Sequence, residues 1–229
     1  MLILALDTAT PAVTAGIVRL SGPAAAAAPA AADGTAPGPT ASGPVGADVA
    51  EPVVEQVAAR VTVDPRAHGE LLTPHVLDAV ADAGITLADV GAVVVGTGPG
   101  PYTGLRAGLV TGAALAHSLG VPAYPVCTLD AIAAGPEGAA LVVTDARRRE
   151  VYWATYDAGA RTDGPHVGPR DEVPEPAGRL ADHEQPTPAG IVRAAAPDVL
   201  AGREPGPLTP LYLRRPHAAE PATRKRVTA

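Results

Sequence analysis

An apolar run that ends on an aspartate, turns, and resumes as a second apolar run occurs twice in this chain. Leu2 to Leu6 leads into Asp7-Thr8-Ala9-Thr10-Pro11 and then Ala12 to Val18, while Leu141 to Thr144 leads into Asp145 and resumes at Val151 to Tyr156. In both copies the aspartate precedes the second run's first large β-branched residue, Val13 or Val151, by six positions, and the copies are offset by 138 residues. Strand, aspartate, polar turn, strand is one β-hairpin unit. Its repetition predicts two related lobes. Two unrelated hairpins would look the same, because aspartate favours turns by hydrogen-bonding its own backbone.

Between the copies, strand and helix patterns alternate, which predicts an α/β chain. Val53 to Val63 is apolar and β-branched enough for a third strand, although Gln56 to Arg60 also fits a helix. His68 to Ala83 has a helical period, with Leu72, Val76, Ala79 and Val80 on one side and Glu70, Asp78 and Asp82 on the other. Pro74 falls in its first two turns and could shift its start. Val90 to Val95 reads as a buried strand, Gly96 to Pro101 as a tight loop, Thr103 to Leu119 as a helix capped by Gly120, and Val121 to Val126 as a short strand. Farther on, Asp157 to Pro188 shows no clear core element. Ala189 to Leu200 is an amphipathic helix that Pro197 should end early, Leu211 to Arg215 is a closing strand, and Pro216 to Ala229 is a frayed tail.

Composition explains what lies outside this pattern. Gly and Pro make up 25 and 26 of the 229 residues, yet 47% of the chain is hydrophobic, so the excess must be local. It sits in Ser21 to Glu51, an Ala/Pro/Gly-rich stretch with too little large apolar surface to offset its ordering entropy. That stretch is expected to be a disordered insert. A net charge of −7 disfavours independent nucleic-acid binding; the basic clusters are short, at Arg147-Arg148-Arg149, Arg214-Arg215 and Arg224-Lys225-Arg226. No unbroken apolar run is long enough to span a membrane. With one cysteine and no secretory pattern at the start, the expected location is the cytoplasm.

Candidate chemistry is sparse. The loop around Gly98 and Gly100, between a strand and a helix, suits a phosphate, since glycine admits close backbone approach and a helix start offers free N–H groups. It has no lysine and matches neither a Walker nor a Rossmann spacing, so a plain strand-to-helix turn fits equally. Asp7 and Asp145 stand where lobe-bridging nucleotide folds orient a cation or water, and they also fit turns that cap themselves. His68 and His75 are two helical turns apart and cannot share one ion unaided, so no metal site is expected. Cys127 reads as an inert core thiol without a basic neighbour. No nucleophile and base stand together, and no catalytic residue or cofactor is expected.

The helix from Thr103 carries the most pointed signal. Gly104, Gly108, Gly112 and Ala116 recur every four residues and leave one stripe almost bare, fit to lie close on a sheet. Its opposite side, Arg106, Val110, Ala113, Ala114 and His117, carries few charges. A helix apolar nearly all round should be buried on two sides. Either the helix of Leu72 and Val76 covers that side, or a second polypeptide does.

Four ordered segments resemble the bacterial TsaB (YeaZ) family: Ile3 to Thr10, His68 to Pro74, Gly98 to Arg106, and Asp145-Ala146-Arg147 with Glu150 to Ala154, joined by Pro210 to Arg214 near the end. The resemblance implies an actin-like, sugar-kinase and Hsp70-type α/β fold in two lobes, residues 1–126 (with the insert at 21–51) and 127–229, the second shortened. It further implies a non-catalytic partner and activator of TsaD in transfer of the threonylcarbamoyl group to the anticodon-adjacent adenosine of tRNA. TsaE would join the pair, tRNA would be met only within the complex, and the chain alone would form a homodimer. The pairing surface is expected at Leu72, Val76, Arg106, Val110, Ala113, Ala114 and His117. Where TsaD carries a His-x-x-x-His metal pair, this chain has Thr128 and Ile132. The alternatives are a nucleotide-dependent ATPase or phosphotransferase, and an M22-type peptidase-like protein.

Overall fold

The computed structural model describes residues 1–22, 51–135, 138 and 140–214. Most of the expected insert, residues 23–50, and the tail from 215 onward with its basic cluster lie outside the described residues. Ser21, assigned to the insert on sequence, instead closes a strand and pairs with Val53.

The first hairpin, β1 (Leu2–Asp7) and β2 (Ala12–Ser21), sits at the centre of a five-stranded sheet. On one side β2 pairs antiparallel with β3 (Val53–Val63), which is strand throughout, including Gln56 to Arg60. On the other side β1 pairs parallel with β4 (Val90–Gly96), and β4 with β5 (Ala123–Val126). Successive side chains on a strand face opposite ways. Leu4 and Leu6 therefore join Val93 and Val95 on one face, while Ile3 and Ala5 join Ala92 and Val94 on the other. Both faces are covered, which is why these strands are apolar almost without interruption.

Helices α1 (His68–Asp82) and α2 (Tyr102–Leu119) cover the first face side by side. Pro74 is tolerated in α1 because it and Glu70 lie on the exposed side, where the Glu70 carbonyl that loses its helical donor is open to water. The bare stripe of α2 presses on the sheet as the spacing predicts: a Cβ added at Gly112 would stand 2.5 Å from Val95 Cγ2. Gly120, at φ 68°, ends α2 in the left-handed conformation that glycine adopts without strain.

The second hairpin, β6 (Leu141–Asp145) and β7 (Glu150–Asp157), repeats the arrangement: β7 pairs antiparallel with β8 (Ala160–Pro169), and β6 pairs parallel with β9 (Leu180–Asp182). The strand orders are β3-β2-β1-β4-β5 and β8-β7-β6-β9, the same series lacking its last member. Helices cross between the sheets. Helix α3 (Thr128–Ala133), which follows β5, packs Leu129 and Ile132 on β6 and β7, while α4 (Pro188–Leu200), after β9, packs Ile191, Val192 and Ala195 on the far face of the first sheet. The two helices meet where Gly190 lies so close to Ala131 that a Cβ would come 2.3 Å from its carbonyl oxygen.

Three expectations change here. Asp157 to Pro188, read as lacking core elements, supplies β8 and β9. Pro197 does not end α4 early; it is exposed one turn before the end, and buried Val199 holds that turn down. Residues 211–214 form no strand; Leu211 N–H donates to the Thr97 carbonyl at 2.8 Å and the segment runs on as an extended strap.

Candidate functional site

Three of the four candidate cofactor positions converge beneath the first hairpin turn. Asp7, at the end of β1, is fully buried; its Oδ2 accepts from the Thr128 hydroxyl at 2.6 Å and its Oδ1 from Ala9 N–H at 2.8 Å. Thr128 Oγ1 also accepts from Gly98 N–H at 3.2 Å, and Thr128 N–H donates to the Gly98 carbonyl at 2.7 Å. A Cβ at Gly100 would stand 2.1 Å from the Ala9 carbonyl oxygen, so this glycine serves the close contact of loop with turn. Thr8 binds the turn to α2: its hydroxyl donates to the Gly104 carbonyl at 2.7 Å and accepts from Gly108 N–H at 3.0 Å. Asp7, Gly98 and Gly100 thus spend their polar groups and close approaches on one internal knot.

Burial pushes the Asp7 carboxyl up from 3.8 to about 6, against the opposing pull of the Thr128 hydroxyl, the Ala9 N–H and nearby His68. The folded value lies above the ordinary one, so the native state favours the protonated form, and that contribution is lost as pH rises through about 6. Thr128 offsets part of the loss by donating to the ionised carboxylate. Thr128→Val should therefore cost about 2 kcal/mol at pH 7.5 and clearly less at pH 5, as read by urea unfolding. A pH-independent loss would mean the hydroxyl does not serve the carboxylate.

Asp145 lies elsewhere. It is exposed at the end of β6, its Oδ1 accepts from Arg147 N–H at 2.9 Å, and it lines a cleft of about 620 Å³. Thr10, Arg66, His68, Thr103 and Arg147 also line this cleft; Asp7, Gly98 and Gly100 do not. The β6–β7 turn holds Arg147, Arg148 and Arg149 at φ 62°, 54° and 67°, three consecutive left-handed residues of which none is glycine.

Of the expected pairing surface, the structure separates two parts. Leu72 and Val76 are 2% exposed and belong to the core under α1, so the apolar side of α1 faces its own sheet and offers nothing to a partner. That part of the expectation is corrected; the large apolar residue α1 does expose is Leu77. Arg106, Val110, Ala113, Ala114 and His117 are all exposed along α2, with Val110 at 67%. Neighbouring α1 leaves them uncovered. The sequence reading missed two residues at this face: Tyr102 stacks on Tyr212 of the strap with centroids 5.3 Å apart, and the Arg106 guanidinium lies 4.8 Å over the Tyr102 ring. With Leu109, Val110, Leu208 and Pro210 they line a groove of about 280 Å³. Both tyrosines lie in the motif segments singled out above, but nothing local pairs positions 110 residues apart.

Thr128 and Ile132, expected from the resemblance to stand where a metal pair would lie, have structural roles. Thr128 is committed to Asp7, and Ile132 packs against the second sheet. Among the described residues no three His, Cys, Asp or Glu side chains gather to hold a metal ion, and no helix is long and apolar enough to cross a membrane. Cys127 does have a basic neighbour, Arg161 of β8, whose Nη1 donates to Sγ at 3.5 Å. Burial first, and Asp130 second, still push its thiol up to about 11.

Two hairpin-centred sheets of one strand order, joined by exchanged helices, define the actin-like class that includes sugar kinases and Hsp70. YeaZ from Pseudomonas aeruginosa has this fold, superposing with a TM-score of 0.64 over 92% of this chain and 99% of that one at 23% identity. The model of the family "TsaD: tRNA N6-adenosine threonylcarbamoyltransferase" matches residues 57–184. An uncharacterized protein of Mycobacterium tuberculosis is 48% identical over 231 residues, covering 94% of this chain and 93% of the relative. The Escherichia coli tRNA threonylcarbamoyladenosine biosynthesis protein TsaB is 38% identical over 105 residues, 44% of this chain and 46% of that protein. The chain belongs to the TsaB/YeaZ family.

Proposed function

We propose that this chain takes part in threonylcarbamoyladenosine formation on tRNA as the non-catalytic partner and activator of a TsaD-type transferase. The observation that carries the reading is the outward face of α2, where Val110, Ala113, Ala114 and His117 stand exposed with none of the described residues covering them. A face this apolar on a surface helix supports a contact with another polypeptide. The relatives' names give the pathway: E. coli and Bacillus subtilis TsaB are both tRNA threonylcarbamoyladenosine biosynthesis proteins. The side chains add to this. Asp7 is sealed under the hairpin turn, and residues 128 and 132 carry no imidazole.

In this reading the α2 face seats TsaD, TsaE joins the assembled pair, and without TsaD the same face seats a second copy of this chain. Co-expression with the TsaD of the same organism, followed by sizing and a transfer assay on tRNA, tests it. The expected result is a stable one-to-one complex, with transfer that falls to background when this chain is left out. Full transfer by TsaD alone would overturn the reading, as would ATP turnover by this chain that Asp7→Ala abolishes.

A further inference from the structure

The first sheet ends on β3, a strand of 11 residues whose outer side pairs with no other strand among the described residues. An edge strand turns every second residue's N–H and C=O away from the sheet, and proteins blunt such edges with short length, proline or lysine. The sheets' other edges follow that practice. Strand β5 has 4 residues and contains Pro125, β9 has 3, and β8 carries Gly164, Pro165, Gly168 and Pro169. Strand β3 has no glycine, proline or lysine. Instead Val53, Val61 and Val63 stand on it 61%, 45% and 64% exposed.

The side chains of β3 define what fits that edge. On the face towards α1, Arg60 pairs with Asp82, Thr62 meets His75, and Val57 and Ala58 join the core. Glu55 is on the same face, paired with Arg19. Val54 packs in the opposite core with α4, and Ala59 lies across from Gly16, where an added Cβ would meet Pro188 of α4. Val57 and Ala58 share a face because the pairing with β2 slips there by one residue. Now let a second β3 run antiparallel beside the first, with Glu55 opposite Arg60 of the second copy. Val53 then meets Thr62, Val54 meets Val61, Gln56 meets Ala59 and Val57 meets Ala58, each pair on one face and each occurring twice about the two-fold axis. The slips of the two strands coincide. A shift of one residue sets faces against each other. A shift of two opposes Ala58 to Ala59, or Gln56 to Val57, which point opposite ways, and it parts the charges.

We propose that β3 is a docking edge for a second copy of this chain, joined antiparallel in this register so that the two five-stranded sheets become one. Backbone hydrogen bonds and the Val54–Val61 pairs hold the contact. The charges select its register, extending Arg19–Glu55 and Arg60–Asp82 into one alternating row across the two copies. The contact does not depend on the α2 face, since α2 packs over β4 and β1 while α1 lies between it and β3.

The full-length chain carrying Val110→Asp, which silences the α2 face, is examined by sedimentation equilibrium. It should form a reversible dimer. Adding Val61→Lys, which puts the edge-blunting residue at an exposed position, should weaken that dimer at least about tenfold with unchanged circular dichroism. Adding Leu77→Lys, on exposed α1 surface, should change it less than about twofold. The register is read by cross-linking. Val53→Cys and Thr62→Cys, made separately and mixed under mild oxidation, should form a disulfide-linked dimer that neither forms alone, because only unlike cysteines stand opposite each other. Wild type oxidised alongside gives the background from Cys127. A monomer at about 100 µM, a dimer indifferent to Val61→Lys, or a mixture that cross-links no better than its components would overturn the proposal. Retention of TsaD by Val110→Asp would count against the pairing reading alone, since Val61→Lys and the cross-link decide the β3 contact by themselves.

Discussion

Gly96→Ala should leave the first sheet unable to assemble, and the protein should be recovered unfolded or in aggregates. Gly96 ends β4 beside Asp7, and a Cβ there would stand 1.7 Å from Asp7 Oδ2 and 2.5 Å from its Cγ. No rotamer change is free to relieve this. Asp7 is fully buried, its two oxygens are held by Thr128 and Ala9, and β1 is flanked by β2 and β4. Displacing the carboxylate would strand a buried charge and break its hydrogen bonds, and displacing β4 would open the core between Leu6 and Val95. Overpacking plus an unsatisfied buried carboxylate puts the loss above about 4 kcal/mol, most of the stability of a small domain. Gly69→Ala is the control: it lies early in α1 with nothing within 4 Å of the added carbon and should be neutral or slightly stabilising. Circular dichroism and urea unfolding of the two variants decide the matter. A Gly96→Ala protein within about 1 kcal/mol of wild type would mean that Asp7 is not locked where the structure puts it.

Much of this arrangement is legible in local pattern. The two hairpins, the helical period of α1 and the bare stripe of α2 each depend on residues within one element, so periods of 2 and 3.6 reveal them. What pattern does not reveal is the use to which a residue is put by something distant. Asp7 looks like a free turn aspartate, yet its partner is Thr128, 121 positions on. The strand β8 hides because Ala160 to Pro169 is polar and Gly/Pro-bearing; it is an edge that pairs with β7 through its backbone and buries little. The amphipathic side of α1 is equally clear in sequence and in structure, but its period cannot say whether Leu72 and Val76 face their own sheet or a stranger. They face their own sheet. On α2 the same question resolves the other way, because glycine and alanine take the sheet side and leave Val110 outside.

That difference sets the second large effect. Val110→Asp should abolish co-purification with TsaD while leaving this chain as stable as wild type. Val110 is 67% exposed on α2 and lines the groove with Tyr102, Arg106, Leu208 and Tyr212, so in the isolated chain a carboxylate there stays hydrated and costs almost nothing. Covered by a partner, the same carboxylate would lose its water without gaining a counter-charge designed for it; the penalty is several kcal/mol, about a thousandfold or more in affinity. Ala113→Arg, one helical turn along the same exposed face, should act alike. Leu72→Asp makes the contrast, since it puts the charge into the core and should unfold the chain rather than unpair it. The measurement is a pull-down of TsaD at matched expression, with thermal unfolding of each free variant alongside. If Val110→Asp retains TsaD at wild-type yield, the partner sits elsewhere. If it loses TsaD only because it no longer folds, the exposure of α2 has been misread; a folded, unpaired Val110→Asp is the outcome that an open helical seam requires.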